Sequence, residues 1–302
     1  MKASVVILTK NGRKYIQNSL DAIFTQKSQH DLEIIVIDSG SRDGTLEIAR
    51  QYPLTLYQIP SESFSHSRTR NFGASLTSGD YVLYLSQDAV PADEGWLESL
   101  LSPMVKDPLV GAVFGRQIPA ADANPVNRFR INWIYGPESS VKQKVPAKEF
   151  SRKSFNFSNV NSAIRKELLL KFPFRRDLPF CEDIYLAEQL LNAGYKIAYS
   201  SAAAVFHSHN HGIFEIFHRY FDIAIAYRMI GIHENAKKIE NEGKRYILEE
   251  LKYLWKTRQS SWVLYAVICD AFKYLGFKVG CLERFLPGYL TKRLSRYWYR
   301  QC

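Results

Sequence analysis

The sequence predicts an α/β protein built on a doubly wound, mostly parallel sheet. Three observations carry that reading. Four short apolar runs fall within the first 85 residues, helical patterns alternate with them, and most of the runs end in small polar clusters. Ser4-Val5-Val6-Ile7-Leu8-Thr9 is a continuous β-branched run closed by Asn11-Gly12, as expected of a central strand buried on both faces. Ile16, Leu20, Ile23 and Phe24 then recur at helical spacing. Glu33 to Ile37 reads as the second strand and ends at Asp38-Ser39-Gly40-Ser41. Asp43-Gly44-Thr45 opens a helix through Leu46, Ile48 and Ala49. Leu54 to Ile59 is a third strand, Arg70 to Leu76 a helix, and Tyr81 to Leu85 a fourth strand ending at Ser86-Gln87-Asp88.

Beyond residue 100 the pattern loosens. Gly111 to Gly115 reads as a strand. Asp122 to Phe155, rich in Pro, Asn, Lys and Ser, reads as a long loop of the kind that serves as a lid or substrate loop. Asn159 to Arg165 leads into a helix with Leu168, Leu169 and Phe172. Cys181-Glu182-Asp183 begins another, which Gly194 stops. Lys196 to Tyr199 and Ala203 to Phe206 read as two short strands. After Gly212 the chain becomes helical and amphipathic, with Phe214, Phe217, His218, Phe221, Ile225 and Met229 at helical spacing. The expected division is a catalytic domain over 1–212 and a basic helical extension over 213–302.

Composition narrows the function. The chain of 302 residues is 46% hydrophobic and 23% charged, which excludes a disordered, collagenous or multi-span membrane protein. Cys181, Cys269, Cys281 and Cys302 lack C-x-x-C spacing, so neither a zinc site nor a disulfide framework is expected. The net charge is +10, and residues 236–302 hold 14 Lys/Arg against 6 Asp/Glu. Their basic residues are interleaved with aromatics such as Tyr246, Trp255, Phe285, Tyr289, Tyr297, Trp298 and Tyr299, a mixture suited to a membrane–water interface. The longest apolar run there, Trp262 to Cys269, is too short to span a bilayer. The run after Met1-Lys2 is too short for a signal peptide, so a cytoplasmic protein lying on the inner face of the membrane is expected. No helix-turn-helix, RRM or zinc pattern favours nucleic acid as partner.

In open α/β sheets ligands bind beyond the carboxyl ends of the strands. Thr9-Lys10-Asn11, Asp38-Ser39-Gly40-Ser41 and Gln87-Asp88 all stand there. One such acid is as well explained by capping the next helix; three clusters at successive strand ends point to a nucleotide pocket.

The combination of Thr9-x-Asn11, Asp38-Ser39-x-Ser41-x-Asp43-Gly44-Thr45, Arg70-Asn71-x-Gly73 and the acidic pair Glu182-Asp183 resembles the family 2 inverting glycosyltransferases of GT-A fold. The resemblance spans Ser4 to Gly212. Phe64 to Asn71, Ser86 to Pro91, His207-Ser208-His209-Asn210 and Arg219-Tyr220-Phe221-Asp222 are similar to its bacterial rhamnosyltransferase branch. The resemblance implies that Thr9, Asn11, Asp38 and Ser39 hold base and ribose, and that Arg70 lies near the diphosphate. Asn71 and Gly73 would serve the turn and its packing. It also implies that His66 meets the donor sugar or a phosphate, and that Asp183 is the general base, with Glu182 as the alternative. Both acids also suit a helix N-terminus on electrostatic grounds.

Asp88 occupies the second acidic position of the family's metal motif, whereas Gln87 stands where an acid is common. A weaker Mg²⁺ or Mn²⁺ site follows, in which His207 and His209 could add ligands; at i and i+2 on a strand they would share a face. The implied partners are a nucleotide-sugar donor, dTDP-rhamnose above others, and a glycan or polyprenyl-diphosphate acceptor. A UDP- or GDP-sugar donor is the alternative, and a non-catalytic nucleotide- or nucleic-acid-binding protein the remote one.

Overall fold

The computed structural model describes residues 1–144, 156–231 and 236–296. Its centre is a nine-stranded sheet in the order β3-β2-β1-β4-β8-β6-β9-β5, with β7 paired to β9. The strands are β1 (Lys2–Thr9), β2 (Asp31–Asp38), β3 (Thr55–Gln58), β4 (Tyr81–Ser86), β5 (Val90–Pro91), β6 (Val110–Ile118), β7 (Ser140–Lys142), β8 (Asn161–Arg165) and β9 (Lys196–Phe206). β1 pairs in parallel with β2 and β4, β2 with β3, and β6 with β9, while β8 runs antiparallel between β4 and β6.

The continuous apolar runs have a direct cause. Val6, Ile35, Ile37, Val82 and Tyr84 face one core, while Val5, Ile7, Ile34, Val36, Leu83 and Leu85 face the other. Alternate residues point to opposite faces, and both faces are covered by helices, so neither face can be polar. Helices α1 (Ile16–Phe24), α2 (Thr45–Ala49), α3 (His66–Leu76) and α4 (Trp96–Lys106) connect the first strands. They are followed by α5 (Pro125–Ile134), α6 (Lys166–Lys171) and α7 (Glu182–Asn192). The C-terminal portion comprises α8 (Ile213–Ile230), α9 (Ala236–Lys256), α10 (Val263–Cys281) and α11 (Gly288–Leu294). Gly73 of α3 presses on β1 so closely that a Cβ there would lie 2.6 Å from Val6 Cγ1.

Three expectations need correction. The long loop expected over Asp122 to Phe155 contains α5 and β7, and its residues 145–155 lie outside the described residues. The helix has a legible start: Asn124 accepts from the Asn127 N–H and Pro125 follows at the first turn. The two strands expected over 196–206 are one, β9, because an irregularity in its register with β6 between Gly115 and Gln117 absorbs the Ser200-Ser201 interruption. Helix α3 starts at His66 rather than Arg70, since Ser65 caps it by accepting the Arg68 N–H. Tyr297, Trp298, Tyr299 and Cys302 lie outside the described residues.

Helix α8 is continuous with the main core. Ala226, Tyr227 and Ile230 are buried in the same cluster as Ile164 and Leu186. Helix α10 approaches α8 at backbone contact through Gly276 and Gly280, where a Cβ would meet the carbonyl oxygens of Phe217 and Phe221 at 2.4 and 2.5 Å. Asp222, fully buried on α8, accepts from Ser295 Oγ at 2.5 Å and from the Arg296 N–H at 2.9 Å, tying the chain after α11 back to α8.

Candidate active site

The carboxyl ends of β1 and β4 open into a cleft of about 800 Å³, whose lining includes Thr9, Ser39, His66, Arg70, Gln87 and Asp88. Its first wall is made by strand ends that bind one another. Gln87 Oε1 accepts from Thr9 Oγ1 at 2.6 Å and from the Lys10 N–H at 3.0 Å, so this amide joins β4 to β1. The Gln87 position is therefore structural in its contacts: its oxygen is turned to the backbone. Ser39 lies against β1, its N–H and Oγ both donating to the Thr9 carbonyl.

Asp38 is fully buried at the end of β2. Its Oδ1 accepts the Gly40 and Ser41 N–H groups at 2.9 and 3.0 Å, whereas Oδ2 meets no donor among the described residues. A buried carboxylate oxygen without a donor is costly, and a ligand N–H is one way to satisfy it. Asn11, with φ of 48°, brackets the following turn: its N–H donates to Ser41 Oγ and its Oδ1 accepts the Arg42 N–H. Asn71 joins α3 to the Phe174 backbone, donating to its carbonyl at 2.8 Å and accepting its N–H at 3.0 Å. Neither Asn11 nor Asn71 lines the cleft.

Behind the cleft residues Arg70 and Asn159 stand the acids of α7, neither of which lines the cleft itself. Cys181 takes up the left-handed region at φ of 63° and so turns the chain sharply into the helix. Glu182 is buried and ion-paired with Arg70, whose guanidinium also lies 5.9 Å from the Tyr84 ring centre. Among the described residues Asp183 has no cationic partner of its own. Its Oδ1 accepts the Ile184 N–H at 2.8 Å, and Oδ2 lies 3.4 Å from the N–H of the cleft residue Asn159. Burial and the neighbouring Glu182 charge push its carboxyl up to about 7. The adjacent acids are thereby divided: Glu182 neutralises Arg70, and Asp183 keeps a proton affinity near neutrality. His66, at the start of α3, is pushed down to about 4 by burial and by Arg70, so it is a neutral imidazole.

The third element is the segment after β9. Asp88 Oδ2 lies 3.1 Å from His209 Nε2, and Asp88 Oδ1 lies 3.6 Å from His207 Nε2. Ligand atoms of all three residues lie within 4.8 Å of one another. The two histidines follow the strand rather than lie on it, so the i and i+2 argument does not explain their convergence. Side-chain anchors do: Asn127 donates to the His209 carbonyl, Ser208 Oγ accepts the Ala120 N–H, and Asn210 Oδ1 accepts the Asn124 N–H.

Hydrogen bonding also sets the tautomer of His207. Gln117 Nε2 donates to Tyr135 Oη at 2.7 Å and to Ser158 Oγ at 3.2 Å, so its Oε1 must accept from His207 Nδ1 at 2.9 Å. Nε2 then presents a lone pair to the Asp88 carboxylate. Burial lowers His207 to about 4, so it does not protonate near neutral pH to relieve the opposition. Burial would by itself raise Asp88, but the hydrogen bond with His209 holds it below the usual carboxylate range. A carboxylate facing two imidazole nitrogens, one oriented by an outer amide, fits a divalent cation.

Sequence reasoning missed Gln117 and Asn159, because an isolated Gln in a strand and an Asn in an irregular segment carry no spacing signal. It also missed Ser61 and Glu62, which line the cleft beside Phe64, the first residue of the branch-like motif. The Ser-rich turn before α3 was their only trace.

The sequence model of Glycosyl transferase family 2 matches residues 4–172. The chain belongs to this family. The glycosyltransferase is 35% identical to the O-antigen chain rhamnosyltransferase RfbN of Salmonella typhimurium, across 98% of this chain and 95% of that one. It is 33% identical to the O-antigen chain rhamnosyltransferase WbaN of Salmonella anatum, across 97% and 94% of the two chains. Its fold is similar to that of the mannosyltransferase PcManGT from Pyrobaculum calidifontis, solved in complex with GDP-Man and Mn²⁺. The TM-score is 0.59 at 18% identity, over 99% of this chain and 85% of that one. The glycosyltransferase thus has the GT-A architecture expected from its sequence.

Proposed function

We propose that this glycosyltransferase moves L-rhamnose from dTDP-rhamnose, with inversion, onto a glycan or lipid-linked acceptor during assembly of a bacterial cell-surface polysaccharide. The observation that carries the reaction is the separation of Glu182 from Asp183, which leaves one carboxylate with a proton affinity near neutrality beside the cleft. The rhamnosyl assignment rests on the two relatives, each matched over nearly its whole length.

In this reading Asp183 accepts the proton of the acceptor hydroxyl as its oxygen bonds to the anomeric carbon. The bond from that carbon to the diphosphate breaks on the opposite face, and the diphosphate leaves with the electron pair. Asp38, through its unsatisfied Oδ2, accepts an N–H of the base; Thr9 and Ser39 line the cleft next to it. Asp88, His207 and His209 would hold Mg²⁺ or Mn²⁺, which supplies charge neutralisation at the diphosphate. Release of nucleotide from thymidine, uridine and guanosine diphosphate sugars tests the donor. Selective turnover of dTDP-rhamnose is expected; turnover of a UDP- or GDP-sugar instead would retain the reaction and discard the sugar.

The same reading places the enzyme peripherally on the inner face of the membrane. Among the described residues, no helix is long and apolar enough to cross a bilayer. The C-terminal helices nevertheless expose large apolar side chains: Trp255 is 82% exposed, Leu264 72%, Phe285 70% and Tyr289 71%. Arg284, Lys292 and Arg293 are exposed beside Phe285 and Tyr289, while Asp270 and Glu283 are turned inward to Lys273 and Arg228. Apolar rings among cations suit anionic headgroups. Sedimentation with phosphatidylglycerol vesicles is expected to carry the protein down. Phe285→Ser with Tyr289→Ser should weaken this about tenfold or more; undiminished binding by the double variant would remove these residues from the interface.

A further inference from the structure

Asn159 stands two residues before β8, lines the cleft and is only 2% exposed. Its Oδ1 accepts from Ser162 Oγ at 3.0 Å, which holds the amide from within β8. Its Nδ2 is buried and meets no partner among the described residues. Nearly all such donors in folded proteins are satisfied by protein, water or ligand, because leaving one unpaired forfeits its hydration. A slack backbone does not account for this orphan. The Val160 carbonyl accepts the Ser86 N–H at 3.0 Å, Ser158 Oγ accepts from Gln117 Nε2 at 3.2 Å, and Asn161 Oδ1 accepts from Trp96 Nε1 at 2.9 Å.

Those anchors also place the amide. Ser86 lies two residues before Asp88, and Gln117 is the residue that orients His207, so the segment abuts the Asp88–His207–His209 cluster on one side. On the other side the Asn159 N–H lies 3.4 Å from Asp183 Oδ2. Asn159 therefore connects the carboxylate that takes the acceptor proton to the end of the cleft where a cation would hold the diphosphate. The bond that forms and the bond that breaks share one carbon, and that carbon must lie between these two groups. The polar groups nearest to it are sugar hydroxyls. A phosphate is a poor partner here, because the Asp183 carboxylate beside the same residue would repel it. A hydroxyl both donates and accepts, so it pairs with this amide in either orientation of its oxygen and nitrogen.

We propose that Asn159 contacts substrate in this transferase, its side-chain amide hydrogen-bonding a sugar hydroxyl next to the reacting carbon. The proposal rests on the reading of Asp183 as the base and deepens it. One residue then serves the reaction twice: its backbone N–H orients the base, and its side chain orients the sugar on which the base acts. Ser162 is a positioning residue, acting through the Asn159 oxygen that it holds. The hydroxyl can come from two sources, the transferred sugar or the acceptor.

Steady-state kinetics of Asn159→Ala with monodeoxy donors and acceptors test this, on the full chain with Mn²⁺ and whichever nucleotide sugar it turns over. kcat/KM is expected to fall about 3- to 10-fold, the worth of one hydrogen bond between neutral groups, and less in Ser162→Ala. The analogue lacking the partner hydroxyl should cost the wild type a similar factor and cost Asn159→Ala nothing further. If the transferred sugar is the source, that analogue is a deoxy donor, and the variant also slows donor hydrolysis by water. If the acceptor is the source, it is a deoxy acceptor, and hydrolysis is unchanged. The rise of kcat/KM with pH through about 7 should keep its midpoint in the variant, since the backbone N–H to Asp183 remains. A displaced midpoint, with every deoxy analogue costing both proteins equally, would make the side chain a packing element of Asp183 and overturn the contact. Undiminished kcat/KM in Asn159→Ala would overturn it as well. Failure of the base reading looks different: Asp183→Asn would stay active while the loss shared by Asn159→Ala and one analogue persisted. Circular dichroism separates a lost contact from a lost fold, and Asn159→Ser, whose hydroxyl stops short of the amide position, carries the same test if Asn159→Ala does not fold.

Discussion

Asp183→Asn is expected to lower kcat/KM for sugar transfer by about 100- to 10,000-fold, the range lost when a positioned general base is removed. The amide keeps the size of the side chain but cannot take the acceptor proton, so nucleotide binding should change little. The comparison with Glu182→Gln is diagnostic. Loss of Glu182 frees the Arg70 guanidinium and removes a negative neighbour of Asp183, so its main effect should be on the pH dependence. Burial and Glu182 raise Asp183 to about 7. The base must be ionised to act, so wild-type kcat/KM should rise with pH through about 7 and fall about tenfold per unit below it. Without Glu182 the carboxyl loses a cause that raises it and keeps one that lowers it, Arg70, so the limb should move to lower pH. Steady-state rates between pH 5 and 9 measure both effects. Full activity of Asp183→Asn would end the assignment of the base.

The second large effect concerns the cation. Chelation by EDTA should abolish transfer, and Mn²⁺ or Mg²⁺ should restore it. Asp88→Asn removes the charged member of the cluster and should raise the metal concentration needed for half-maximal activity by more than about 100-fold. Changes to an outer residue alone typically cost about 10- to 100-fold, and that smaller loss is expected for Gln117→Leu, which frees His207 to rotate and change tautomer. Manganese binding followed by electron paramagnetic resonance gives a readout independent of turnover. Wild-type affinity in both variants would show that these residues do not hold the ion.

Much of this molecule can be read along the chain because its signals are local. The alternating faces of β1, β2 and β4 require unbroken apolar runs, and the strand ends must be polar where the sheet opens to ligand. Thr9, Asp38 and Asp88 stand at such ends. The acids of α7 are legible as a pair, but not which one is free. That depends on Arg70, 112 positions away, reaching Glu182. Helix α5 lay unnoticed in a stretch read by composition, although Asn124-Pro125 marked its start.

By itself the sequence determined the architecture, the family and the ends of the strands where chemistry occurs, because periodicity and short polar clusters are properties of neighbouring residues. Only the tertiary structure decided the division of labour among the polar groups. It turned Gln87 to the backbone of β1, gave Arg70 to Glu182, and set the tautomer of His207 through Gln117. The physical reason is that charge and proton affinity depend on which groups lie within a few ångströms and how far water is excluded. Both are set by long-range packing that no local pattern records.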